Sequence, residues 1–223
     1  MNSDEYTYEL IDNEDDARTC AQLVADEFVA VNSMVILDRL NPQSMFDEDT
    51  WPTMLEMFHE RLSFLARHRQ SGEIVAAISA CDLYLAQKRH PYDPSSAPSA
   101  IPYFDLLEDL DNIFIHHDFQ QELKPNMVLQ IVIGATRVEH SGKGIATRLR
   151  TVLCEYARDK RGFQYALAQT TNEATRHIYV DKMGGIPLTT IDPKTWIWKK
   201  KGDQVRPYKD HTGIPIPNIL IKL

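Results

Sequence analysis

The run Val128-Leu129-Gln130-Ile131-Val132-Ile133 constrains this chain more than any other feature. It is short, rich in β-branched residues and almost wholly apolar, so it reads as a strand buried on both faces, which needs neighbouring strands and a covering layer on either side. The segment after this strand is equally restrictive. A turn containing Ser141-Gly142-Lys143-Gly144 leads into an amphipathic helix from about Gly144 to Lys160, with Ile145, Leu149, Leu153 and Tyr156 on one side. A helix start offers unpaired N–H groups and the positive end of the helix dipole, and glycines let an anion approach that backbone closely. A phosphate site is the physical expectation. A plain strand-to-helix turn is the other reading, and a Gly-x-Gly alone does not choose between them.

The rest of the chain supplies the partners this strand requires. Residues 6–11 alternate as a strand, and Asp12-Asn13-Glu14-Asp15-Asp16 offers helix caps. Ala21, Val24, Ala25, Phe28, Val31, Val35 and Ile36 recur at helical spacing through residues 17–40, with a break near Asn32-Ser33. A second helix is expected beyond Asp47-Glu48-Asp49, through Met54, Leu55, Phe58 and Leu62. Residues 62–69 and 73–85 read as strands joined at Gln70-Ser71-Gly72, and residues 87–102, with Pro91, Pro94, Pro98 and Pro102, as a surface loop. An acidic helix over 103–114, the central strand over 127–135 and a strand over 165–169 come next. A helix over 172–183, closed by Gly184-Gly185, then leads to strands near 186–191 and 218–223. The fold class this order implies is α/β: a mixed, mostly antiparallel sheet with helices on both faces, in one domain spanning residues 1–223.

A formal charge of −8 argues against a nucleic-acid partner, which needs a concentrated positive footprint. Cys20, Cys81 and Cys154 are odd in number and far apart, so neither a disulfide framework nor a metal site is expected. The start Met1-Asn2-Ser3-Asp4-Glu5 lacks the features of a signal peptide, and no apolar run reaches membrane-spanning length. The expectation is a cytoplasmic protein without a membrane partner, as monomer or homodimer. Lys199-Lys200-Lys201 reads as a solvated loop, with the phosphate of a nucleotide as the other reading, and Cys154 reads as core.

Two familiar phosphate motifs are excluded. A Walker A loop needs Gly at the position of Arg137 and Ser or Thr after Gly-Lys, where Gly144 stands. The dinucleotide fingerprint needs Gly or Ala at Thr147. Residues 134–148, centred on Ser141-Gly142-Lys143-Gly144-Ile145-Ala146, instead resemble the acetyl-CoA signature of the GNAT superfamily of N-acyltransferases, Arg/Gln-x-x-Gly-x-Gly/Ala. Gly144 and Ala146 match its last two positions, while Ser141 replaces the usual Arg or Gln, a contact that Lys143 or Arg148 would have to supply. Asn172-Glu173-Ala174-Thr175-Arg176-His177-Ile178-Tyr179, with Met183-Gly184 beyond it, resembles that family's Asn-to-Tyr helix. The element order, and an ending with Pro215 and Pro217 before Ile219-Leu220-Ile221, are similar to arylalkylamine N-acetyltransferases.

This resemblance implies an enzyme with acetyl-CoA as cosubstrate and no metal, passing acetyl to a small primary amine directly in a ternary complex. Ile131, Val132 and Ile133 would polarise the thioester carbonyl, and Ala135 and Thr136 would lie nearest the pyrophosphate turn made by Ser141 to Ala146. Asn172 and Tyr179 would complete the cosubstrate site, with the Tyr179 hydroxyl protonating the leaving thiolate; a partly buried structural tyrosine is the other reading. The arylalkylamine pattern also carries a Glu shortly after a Phe in the first helical region. Counted from Phe28, its place is held by Asn32, which cannot act as a base. Glu27, His116, His117 and Asp118 are the replacements within reach in sequence. A non-catalytic acyl-CoA-binding module and a protein lysine acetyltransferase are the alternatives.

Overall fold

The computed structural model describes residues 5–223. Seven strands, β1 (Tyr6–Leu10), β2 (Phe64–His68), β3 (Ile74–Asp82), β4 (Val128–Thr136), β5 (Tyr165–Gln169), β6 (Ile186–Ile191) and β7 (Ile216–Lys222), form one sheet in the order β1-β2-β3-β4-β5-β7-β6. Every neighbouring pair is antiparallel except β4 and β5. The expected central strand therefore sits fourth of seven, and β3 beside it is buried along its whole length.

Eight helices surround the sheet: α1 (Glu14–Val31), α2 (Ser33–Leu37), α3 (Pro42–Met45), α4 (Trp51–Phe58), α5 (Leu83–Arg89), α6 (Pro102–Ile113), α7 (Ile145–Arg161) and α8 (Glu173–His177). The alternation of β2 divides the core between two faces. Phe64 and Ala66 join Leu149, Leu153 and Ala157 of α7 on one face, whereas Leu65 joins Ala17, Ala21 and Val24 of α1 on the other. A third cluster packs Leu106 and Leu110 of α6 against Trp196, Trp198 and Tyr208 from the long segment between β6 and β7. Among the described residues no helix is long and apolar enough to cross a membrane.

Side-chain caps set several boundaries. The Asn13 side chain accepts from the Asp16 N–H at 2.8 Å and starts α1. Asn32 then ends α1 and starts α2, accepting from the N–H groups of Met34 at 2.9 Å and Val35 at 3.3 Å, which is the break expected near Asn32-Ser33. The strand expected through residue 85 stops three residues earlier. Asp82 accepts from the Tyr84 N–H at 2.9 Å and begins α5, so the segment expected as loop from residue 87 opens on the last turn of a helix.

Wide π-helical turns at Phe46–Thr50, Phe114–Asp118 and Ile178–Lys182 are the features no 3.6-residue periodicity reveals. The third replaces the second half of the helix expected over 172–183 and carries Tyr179 into the core. Gly185, just beyond it, donates its N–H to the Tyr179 carbonyl at 2.8 Å. A Cβ at Gly185 would lie 2.7 Å from that same oxygen and 2.7 Å from Ile219 Cγ2 of β7, so the backbone can pass here only as glycine. Gly185→Ala is expected to lower unfolding stability by about 1–3 kcal/mol, read as a fall in the urea midpoint at unchanged slope.

Candidate active site

The sheet divides at its centre. β4 pairs with β3 as far as Thr136, but with β5 only from Val128, opposite Tyr165, to Ile131, opposite Ala168. Residues 132–136 have no partner on the β5 side. Two sequence features force the fork. Ser79 faces Ile133 and Ala80 faces Ile131, leaving Val132 as an extra residue whose bulge bends and twists β4. Beyond it, Gly134 lets β4 stay tight against β3, since a Cβ there would lie 3.0 Å from the Ala77 carbonyl oxygen.

A cleft of about 50 Å³ occupies the fork, lined by residues 131–134 of β4, by Thr170 and Asn172 beyond β5, and by Arg150 and Tyr179. Arg150 in the wall of the cleft connects it to the glycine turn, reaching the Ala146 carbonyl. Gly142 and Gly144 both have φ of +74°, the left-handed region, and no side chain caps the start of α7. The tight turn into an uncapped helix start expected from sequence is therefore present at residues 141–146. Within it Ile145 turns its side chain into the core and leaves only its backbone to the turn. Lys143 leans away: its Nζ donates to the Tyr6 hydroxyl at 3.2 Å and lies 3.6 Å from Glu5, contacts that raise its pKa, the tyrosine bond first. Arg148 is exposed and 4.0 Å from Glu155. The Ser141 hydroxyl lies 3.5 Å from the Arg137 carbonyl oxygen.

The cation that does reach the cleft is Arg150, which sequence reasoning missed. Its residue is 6% exposed, its Nη1 donates to the Ala146 carbonyl at 3.0 Å, and its guanidinium carbon lies 5.2 Å from the centre of the Tyr179 ring. Its Nε is buried without a hydrogen-bond partner, as is the Thr170 hydroxyl in the same cleft. A buried charge left unpaired costs stability unless something else satisfies it, so both atoms mark a place for a polar ligand. The available signal was an arginine one residue after Leu149 on the buried side of an amphipathic helix. Tyr179 beneath it is 2% exposed; burial pushes its pKa up, and Arg150 opposes that rise. Asn172 spends its side-chain oxygen as the α8 cap, accepting from the Thr175 N–H at 2.8 Å.

On the other side of the fork lies a larger pocket of about 290 Å³ that shares Tyr103, Gln169 and residues 131–133 with the cleft. Four acids line it, but two are already paired. Glu56 meets Arg89 at 2.7 Å and His90 at 3.0 Å, and Glu108 meets Lys200 at 2.5 Å. Asp49 and Asp111 have no cationic partner among the described residues. Asp111 accepts from the side-chain amides of Gln130 on β4 and Gln169 on β5, both at 2.8 Å, so it sits at the crotch of the two strands. Burial pushes its pKa up to about 7, and that of Asp49 up to about 6, against the downward pull of their hydrogen bonds.

The bases expected from sequence are not brought to either cavity. Glu27 faces Arg137 and Glu139 beside the glycine turn, and its pKa is raised mainly by burial. His116 and His117 are exposed, and Asp118 accepts from the Thr189 hydroxyl at 2.6 Å. Asn32 is buried, with its oxygen used by α2 and its Nδ2 donating to Thr171 at 3.2 Å. Lys200 corrects the reading of residues 199–201 as a solvated loop. Its side chain is 9% exposed and tied to Asp105 at 3.0 Å as well as to Glu108. Cys154 is buried, and burial pushes its thiol up to about 12, which leaves no thiolate at neutral pH.

No protein-family model matches the sequence, and no curated protein matches it. Solved structures do. The chain is similar to the C-terminal condensation domain of Ebony in complex with β-alanyl-dopamine, at TM-score 0.75 and 14% identity over 97% of this chain and 99% of that one. It is similar to polyamine N-acetyltransferase of Drosophila melanogaster at TM-score 0.73 and 15% identity, over 98% and 100% of the two chains. Arylalkylamine N-acetyltransferase 2 from Aedes aegypti gives TM-score 0.70 and 17% identity, over 98% and 99%. At such identities the shared property is architecture: the chain has the GNAT fold.

Arg150→Met tests what the buried guanidinium contributes. Replacing an unpaired buried charge by an apolar side chain of similar length is expected to leave stability within about 1 kcal/mol of wild type or raise it. The same change should raise the Tyr179 pKa further, read by phenolate absorbance at alkaline pH against a Tyr179→Phe background.

Proposed function

We propose that this chain is an acetyl-CoA-dependent N-acetyltransferase that passes acetyl to the primary amine of a small molecule. The observation that carries the reading is the fork itself. Arg150 in the wall of the cleft reaches the uncapped glycine turn, and on the far side of the fork lies a pocket with unpaired carboxyls; cleft and pocket share residues 131–133. The residues present fit the cosubstrate. The orphaned Arg150 Nε and Thr170 hydroxyl supply polar partners along the cleft, and nothing stands within 4 Å of where a Cβ would sit at Gly142. The same fold serves the Drosophila polyamine and Aedes arylalkylamine N-acetyltransferases.

In this reading acetyl-CoA supplies an activated thioester, and the chain's own groups do the rest. The unpaired edge at residues 132–136 takes the pantetheine arm as an added strand would sit, with Ala135 and Thr136 next to the turn. Backbone N–H groups of residues 142–146 take the pyrophosphate, the Ser141 N–H being donated to the Val138 carbonyl at 3.0 Å and Lys143 being engaged with Tyr6 and Glu5. Amides at Ile131, Val132 and Ile133 face the developing oxyanion, and fixed dipoles in a water-poor cleft stabilise it strongly. Tyr179 stays protonated at neutral pH because its pKa is raised, as a proton donor to the departing thiolate must be. The guanidinium beside it stabilises the same negative charge. The buried, protonated cysteines offer no acyl acceptor, which favours direct transfer between two bound substrates.

Calorimetric titration with acetyl-CoA tests the site. Wild type is expected to bind in the micromolar range, Gly144→Ala to bind more weakly through backbone strain alone, and Gly144→Glu not to bind, since it adds bulk and negative charge at the turn. Tyr179→Phe should keep that affinity and lose about a hundredfold in kcat, measured as thiol release with a small amine. Binding without thiol release from any amine would identify a non-catalytic module; absence of binding by folded wild type would refute the reading.

A further inference from the structure

The acceptor pocket holds a charge imbalance that its own residues leave unresolved. Of its acids, Glu56 and Glu108 each meet a cation, Arg89 (shared with Glu60 at 2.8 Å) and Lys200 (shared with Asp105 at 3.0 Å), whereas Asp49 and Asp111 meet none among the described residues. The two lie on different elements: Asp49 in the π-helical turn that leads into α4, its Oδ1 accepting from the Thr53 hydroxyl at 3.2 Å, and Asp111 on α6. Only Asp111 touches both strands of the fork. Gln130 and Gln169 hold its two oxygens from opposite sides, immediately below the point where β4 and β5 part. Two half-buried carboxyls without counter-ions in one cavity favour a ligand that brings two positive charges.

We propose that Asp111 and Asp49 are the two anionic seats of the acceptor: Asp111 takes the proton of the reacting ammonium at the fork and Asp49 holds a second cationic nitrogen, making the acceptor a diamine-class molecule rather than an arylalkyl monoamine. This rests on the acetyltransferase reading and names its substrate class and proton acceptor. The ammonium gives one proton to the Asp111 carboxylate, and the freed lone pair forms the C–N bond to the thioester carbonyl carbon. As the C–S bond breaks, the nitrogen loses its second proton to solvent and the thiolate takes one from Tyr179, which is reprotonated from solvent, while Asp111 returns its proton to solvent as the products leave. The sum is one amide, one thiol and one proton released. Asn32 cannot take part, because its oxygen and its amide are both committed.

The groups facing Asp111 support a proton acceptor that works near neutrality. Glu108 on its own helix meets Lys200, and Cys81 of β3 stays a neutral thiol because burial raises its pKa. Tyr103 beside the fork is likewise raised by burial and stays neutral, and at the rim Arg89 is shared between Glu56 and Glu60, with His90 beside Glu56. A carboxyl titrating at about 7 accepts a proton readily yet is half charged at neutral pH.

Initial rates at saturating acetyl-CoA with putrescine, butylamine and phenethylamine test the proposal. Putrescine is expected to exceed both monoamines in kcat/KM by at least about tenfold, the factor that one retained ion pair supplies. Asp49→Asn should erase that preference, raising KM for putrescine at least about tenfold more than KM for butylamine. Asp111→Asn should cut kcat with every amine and remove the fall in kcat/KM on the acid side of neutrality. The same variant should be at least as stable as wild type at about pH 8, since a carboxyl whose folded pKa is raised costs stability above that pKa and regains it as pH falls. Equal or better use of phenethylamine, or a loss in Asp49→Asn common to all amines, overturns the proposal while leaving the acetyltransferase reading intact. Tight acetyl-CoA binding with no amine acetylated sinks that reading. Calorimetry of putrescine and butylamine against the CoA complex then still decides whether the pocket selects two charges.

Discussion

The parting of β4 from β5 is the constraint on which the rest of the molecule depends. A parallel pair in the middle of a sheet ordinarily continues to the end of the shorter strand, because each unpaired backbone group in the interior costs the free energy of a lost hydrogen bond. Here β5 ends at Gln169, one residue past the last pair of Ile131 with Ala168, and β4 runs on for five residues with that edge unpaired. The bulge at Val132 and the close approach at Gly134 hold β4 to β3 and so commit it away from β5. The sheet is kept whole elsewhere: β5 is paired along its length by β7, and β7 by β6. Both cavities exist because of that one separation. The small one lies between the diverging strands, and the larger one under the crotch, with the same three β4 residues in the wall of each.

The electrostatics divide along the same line. On the α7 side the fork meets a positive environment: the uncapped start of a helix and a buried guanidinium without a carboxylate. On the α6 side it meets Asp49 and Asp111, which have no cationic partner among the described residues. Each would be unfavourable alone, since burial penalises the charged form of an isolated group. Their separation by a strand keeps the two environments apart, and in the proposed reaction an anionic donor and a cationic acceptor would approach one carbonyl carbon from two sides. The formal charge of −8 for the whole chain conceals this, because net charge does not tell where charge is focused.

Much of this architecture was legible in the residues. The apolar run at residues 128–133, the glycine turn and the helix after it are local patterns with local causes, and β5 falls on the expected residues 165–169. Legibility ended where a side chain's neighbours come from far along the chain. Asp111 reads as one more charge on an acidic helix until Gln130 and Gln169 are seen to hold it, and Lys200 reads as a solvated lysine until Asp105 and Glu108 are seen beneath it. His116 and His117 have the chemistry of bases and stand next to the central strand in sequence, yet the π-helical turn leaves them in solvent. Helical periodicity placed Tyr179 on a continuous helix; one wide turn moved it into the core.

Asn32 shows why a proton acceptor cannot be inferred from position alone. At the junction of α1 and α2 it satisfies two backbone N–H groups with its oxygen and reaches Thr171, just beyond β5, with its amide nitrogen. An amide fills that place by accepting from the backbone and donating to the Thr171 hydroxyl, and it has no basic site to take up a proton. The side chain that fixes the wall of the cleft is thus spent on structure. Any carboxylate chemistry must come from an element that lies against the fork from outside, and α6 is that element, held in place by the indoles of Trp196 and Trp198 donating to Asp109 and Asp105. The long segment between β6 and β7, whose sequence shows little regularity, therefore acts on the site at one remove: it fixes the helix that carries Asp111.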